Sequence, residues 1–102
     1  MAQTDAFKMI NRTAGTVTAL SMQNLGFSLA ELNQAKQALV TAGANPIRYC
    51  LTGEAPTSSA GHYLAANGNI TIESRGDVFN LRLIAVGGDS IVTVTISRGE
   101  AQ

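Results

Sequence analysis

Val78-Phe79-Asn80-Leu81-Arg82-Leu83-Ile84-Ala85-Val86, then Gly87-Gly88-Asp89-Ser90, then Ile91-Val92-Thr93-Val94-Thr95-Ile96-Ser97, is the stretch whose reading decides the fold class. In the second run Val92, Val94 and Ile96 alternate with Thr93 and Thr95. That period of two sets one side of a strand on a core and the other in water. In the first run Phe79, Leu81 and Leu83 are expected on one face, with Asn80 and Arg82 on the other. Four residues of turn chemistry separate the runs, so the pattern predicts an antiparallel hairpin.

Working outward, the same alternation recurs. Ile70 to Glu73 reads as a shorter strand entered from the Asn67-Gly68-Asn69 turn. Ile47 to Thr52 reads as another, with Ile47, Tyr49 and Leu51 on one side, and Gly61-His62-Tyr63-Leu64 as a strand restart. Nearer the N-terminus, Phe7 to Ile10, Thr16 to Met22 and Gln37 to Thr41 are expected strands. Ser28-Leu29-Ala30-Glu31 has the form of a helix capping box. Leu29, Leu32 and Ala35 follow it at helical spacing, which predicts one short helix near residues 28–36. The sum is a mainly β chain, a small antiparallel β-sandwich or barrel of about seven strands with that one helix. A single domain, 1–102, is expected, with residues 1–6 a flexible arm that orders on docking.

Composition narrows the function classes. The chain has 102 residues, seven basic and seven acidic, so no net field favours nucleic acid or an anionic membrane. Charged residues make up 14%, against about a quarter in ordinary domains, and a weakly charged neutral surface favours association. A homo-oligomer or a larger assembly is therefore expected, with neither nucleic acid nor membrane as a partner. The start, MAQTDAFKMINRT, lacks the basic and apolar regions of a signal peptide, and no apolar run approaches a membrane span. Cys50 is the single cysteine and cannot form an intramolecular disulfide; between Tyr49 and Leu51 it reads as a small buried hydrophobe.

The residues offer no catalytic constellation. His62 is the only histidine, and with Cys50 it falls short of a zinc ligand set. A triad from Ser58 or Ser59 with His62 lacks the strained nucleophile turn that such chemistry uses. Gly87-Gly88 lacks the spacing and the following helix of a phosphate cradle. Arg48 and Arg82 are expected to snorkel over their strands or to pair with Glu54 or Glu73. Asn11-Arg12-Thr13 and Asn69-Ile70-Thr71 match the glycosylation acceptor pattern and read as chance matches without a signal peptide. The expectation is a non-enzymatic protein with no cofactor and no metal.

Pro46-Ile47-Arg48-Tyr49, the Gly53 turn, Ala55-Pro56-Thr57, Gly61-His62 and Leu64-Ala65-Ala66 together carry a resemblance. They resemble small tailed-phage virion proteins of β-sandwich type that are encoded near the major capsid protein. The likeness runs from Gln37 to Ser97 and includes Leu81-Arg82-Leu83-Ile84 and a terminal Thr-rich strand. It departs at Thr52, where an acidic residue is usual, and at Ile96-Ser97, where tyrosines are usual. The resemblance implies a virion location after synthesis in the host cytoplasm, and a role as a capsid decoration or cement protein. Its implied partners are the major capsid protein or other virion proteins. Arg48, Tyr49, Gly53, Pro56, Thr57, Gly61 and His62 are expected to structure the loop rather than to perform chemistry. Two other readings stand beside it: a head-fibre or tail adhesin module that binds host glycan, and an intracellular β-domain that regulates a protein partner.

Overall fold

The computed structural model describes residues 4–99. In chain order they form β1 (Thr4–Ala14), β2 (Leu20–Ser21), α1 (Met22–Leu25), α2 (Leu29–Gln34), β3 (Ala35–Thr41), β4 (Ile47–Cys50), β5 (His62–Leu64), β6 (Asn69–Ile72), α3 (Arg75–Asn80), β7 (Arg82–Ala85) and β8 (Ser90–Gly99). Two antiparallel four-stranded sheets result, ordered β1-β8-β3-β6 and β2-β7-β4-β5. The chain is thus a small β-sandwich of the expected class. Val92, Val94 and Ile96 of β8 are fully buried, as are Ala38 and Val40 of β3, and they meet Ile47, Tyr49, Leu83 and Ala85 of the other sheet in one core. Burying each valine, leucine or isoleucine side chain of this set contributes about 1.5–3 kcal/mol, and this shared core is what holds the two layers together.

The expected hairpin does not form. β7 and β8 are each the second strand of a different sheet, so Gly87-Gly88-Asp89 is a corner that carries the chain from one layer to the other. The burial explains why: Leu83, Ile84 and Ala85 are all buried, so β7 does not have the solvent face that a hairpin of alternating residues would give it. A second corner, between β3 and β4, runs beside the first. Ser90 Oγ donates to the Asn45 carbonyl (2.8 Å) and accepts from the Gly43 N–H (3.0 Å), while Asn45 Nδ2 donates to the Asp89 carbonyl (2.9 Å). The Ala85 N–H donates to the Gly15 carbonyl (2.9 Å), which ties the end of β1 to the second sheet.

The long sheet outruns the short one, and the three helices fill the difference. Met22, Leu25, Phe27 and Leu32 enter the core there, and α3 packs on β3. The expected helix is α2: the Glu31 N–H donates to Ser28 Oγ (3.1 Å) and the Ser28 N–H to Glu31 Oε1 (2.8 Å). Two further helices correct the sequence reading. Thr16 to Met22 yields only the two residues of β2, after which Ser21 opens α1 through its own box with Asn24. Arg75–Asn80 is α3, so Phe79 is not a strand residue beside Leu81 and Leu83 but an exposed helical one. Of the residues expected as a flexible arm, Thr4, Asp5 and Ala6 pair in β1 with Gly99, Arg98 and Ser97; residues 1–3 lie outside the described residues.

Candidate functional site

The segment 46–64 builds a strand, a tucked loop and a returning strand. β4 and β5 pair with Arg48 opposite Tyr63 and Tyr49 opposite His62. Between them Thr57 and Ala60 close a tight turn by reciprocal backbone bonds (2.9 and 3.3 Å), and the Ser59 N–H donates to Thr57 Oγ1 (3.3 Å). Arg48 reaches over this turn from the outward side of β4. Its Nε donates to the Ser58 carbonyl (3.1 Å) and its Nη1 to the Gly61 carbonyl (2.9 Å), with the guanidinium carbon 5.3 Å from the centre of the Tyr63 ring. Charge-assisted donation to two carbonyls satisfies loop groups that a strand would otherwise pair. Arg48 therefore pairs with neither Glu54 nor Glu73.

Gly61 is fitted to that arrangement. Its φ is +122°, and a Cβ there would stand 3.0 Å from Pro56 Cβ and 3.2 Å from the Tyr49 carbonyl oxygen. Pro56 is buried beneath the loop. Gly53 also takes a positive φ, +88°, at the exit of β4, where Thr52 Oγ1 donates to Glu54 Oε1 (3.0 Å). Tyr49 points inward, and its burial raises the phenol pKa above the ordinary value. The exposed His62 ring lies 5.3 Å from that of Tyr49. Cys50 is half-buried on the outward side of β4, which corrects the expectation of a buried hydrophobe. Structure thus gathers Arg48, Tyr49, Pro56, Thr57, Gly61 and His62 around one loop and leaves Gly53 at its entrance. Among the described residues no group of three His, Cys, Asp or Glu side chains could hold a metal.

A larger feature lies on the opposite layer, and reading the strands one at a time misses it. Because Val92, Val94 and Ile96 point inward, Ile91, Thr93 and Thr95 point out, and the register aligns them with their neighbours. One row crosses all four strands as Met9, Thr95, Leu39, Thr71; the next is Asn11, Thr93, Thr41, Asn69; Thr13 and Ile91 follow. No position in these rows carries a charge. Met9, Leu39 and Ile91 are 58%, 43% and 60% exposed, and Thr93 Oγ1 donates to Asn11 Oδ1 (2.5 Å). Ten positions on strands about 4.8 Å apart, in rows about 6.8 Å apart, give this face an area of roughly 330 Å². An uncharged, threonine-rich patch of that size is within the range of the largest patch on an ordinary monomer, which is often a functional one. The signal was present in Val92 to Ile96, but which outward residues become neighbours depends on pairings between distant strands. Comparison with protein-family models, with curated proteins and with solved structures gives no match to this chain.

Proposed function

We propose that the chain is a non-enzymatic structural protein of a phage virion, a decoration or cement protein that binds the capsid surface through the outer face of its long sheet. The observation that carries the reading is the uncharged face described above. The resemblance of residues 37–97 to small virion β-sandwich proteins supports it independently. A face of roughly 330 Å² is less than half of the ~800 Å² that each partner of a standard stable complex buries, so one such contact is weak. A capsid repeats its site many times, and linked or neighbouring subunits convert weak contacts into stable coverage. Apolar and hydroxyl groups dock there without the desolvation cost that a charged face carries.

Co-sedimentation with purified expanded capsids tests the proposal. The wild-type protein is expected in the capsid pellet at a fixed copy number. Leu39→Lys is expected to weaken pelleting at least tenfold, because docking would bury an unpaired charge, while its thermal melt stays within a few degrees of wild type. No pelleting by the wild type, together with its absence from mass spectra of purified virions, overturns the assignment.

A further inference from the structure

We infer that a cleft where α1, α3 and the loop after β4 converge binds a carboxylated sugar ring, with a hexuronate as the simplest fit. The cleft has a volume of about 270 Å³, and Gln23, Gly53, Phe79, Asn80 and Arg82 are among its walls. Arg82 stands on the outward side of β7, opposite Ser21 of β2 and Cys50 of β4. Ser21 is committed to capping α1, which leaves its neighbours to make contacts in the cleft.

Arg82 supplies the specificity argument. The sequence suggests Glu54 or Glu73 as its partner, yet among the described residues the ion pair found is Lys8 with Glu31. Glu54, next to the cleft wall, accepts instead from Thr52. Arg48 and Arg75 give their guanidinium N–H groups to backbone carbonyls, whereas the Arg82 guanidinium has no hydrogen bond to another described residue. A planar guanidinium without a partner matches a carboxylate by two parallel bonds. The Asn80 and Gln23 amides each donate and accept, which suits adjacent hydroxyl groups. Phe79, 43% exposed, offers a ring to the C–H face of a sugar.

Alternatives use the cleft less completely. An inorganic anion leaves Phe79 and the acceptor oxygens of both amides idle, and a neutral sugar leaves Arg82 unmatched. Clefts that take drug-sized ligands run to roughly 300–1,000 Å³, so this one holds a single ring and not a nucleotide. The inference stands apart from the capsid proposal, because the cleft opens on the layer opposite the uncharged face.

Titration of the ¹⁵N-labelled protein with sodium glucuronate, glucose and sodium acetate, followed by NMR, tests it. Saturable shifts are expected at the side-chain amides of Gln23 and Asn80 and the backbone amide of Gly53, with a dissociation constant on the order of 1 mM, as ligand efficiency allows for one ring. Glucose and acetate should bind at least tenfold more weakly. Arg82→Gln should weaken glucuronate at least tenfold, and Asn80→Ala, at an exposed side chain that tolerates truncation, severalfold. Oligogalacturonate run alongside distinguishes a polymer unit from a free acid: binding tighter than glucuronate assigns the former, weaker the latter, and either keeps the site. Equal shifts from acetate or glucose, no saturation with glucuronate, or unchanged affinity in both variants overturns the inference.

Discussion

Gly43 sits where the chain leaving β3 still runs tightly beside β8, its neighbour in the same sheet. A Cβ there would lie 2.5 Å from the Ile91 carbonyl oxygen and 2.9 Å from its nitrogen, both backbone atoms that β-pairing holds in place. Its N–H also supplies one half of the Ser90 hydroxyl's bonding, so the corner has no slack on either side. Gly43→Ala is expected to destabilise by about 1–3 kcal/mol, as overpacking does. In a domain of this size each kcal/mol moves Tm by roughly 4–8 °C. Gly76 is the opposite case: it sits in α3 with nothing within 4 Å of a Cβ, and Gly76→Ala should stabilise by about 0.5–1 kcal/mol. A pair of thermal melts checks both signs, and a stable Gly43→Ala protein would remove the corner from this account.

At the scale of elements, α2 is fastened at its first turn and to β1 by the same carboxylate. Glu31 accepts from the Ser28 N–H and from Lys8 Nζ (3.1 Å), with its second oxygen 3.0 Å from that nitrogen. The Ser28 N–H first and Lys8 second hold its pKa below the ordinary carboxylate value. A depressed folded pKa means stabilisation that is complete above the unfolded carboxylate pKa, about 4.3, and is lost as pH falls below it toward the folded one. Chemical denaturation from pH 7 to pH 3 should therefore show stability falling in that window, with a shallower fall in Glu31→Gln. The box itself was legible, because Ser28-x-x-Glu31 is a local signal that needs no tertiary information. Ser21 and Asn24 form an equally local box that the apolar run Thr16 to Met22 masks when it is read as a strand. α3 had no such signal: Ser74 makes no side-chain cap, and Gly76 lies inside the helix. The corner between β7 and β8 looks like a hairpin in sequence because alternation reports which face of a strand is buried and not which strand lies beside it. For the same reason the run from Ile47 to Leu64 signals two strands with a turn between them, but not the carbonyls that the Arg48 guanidinium reaches.

For the whole molecule, the two layers differ in their outer faces. One presents the uncharged rows of the long sheet, and the other carries the Arg48 loop and the Arg82 cleft. The longest strand pairing, between β1 and β8, joins the first strand to the last. β8 is also the partner of β3, so the long sheet has no centre without it. Most contacts in this fold are consequently between residues far apart in sequence, and such topologies fold in milliseconds to seconds where helical bundles take microseconds to milliseconds. Stopped-flow refolding should show that slow regime; a main phase in microseconds would contradict the strand order. During synthesis β1 leaves the ribosome well before β8 and waits without that partner while the intervening chain is made. At about 5–20 residues per second that interval lasts several seconds. Throughout it, a strand with an unsatisfied backbone edge is open to other chains. The strand order that gives the finished protein its broad face thus makes its nascent chain dependent on the synthesis of β8 before the long sheet can form.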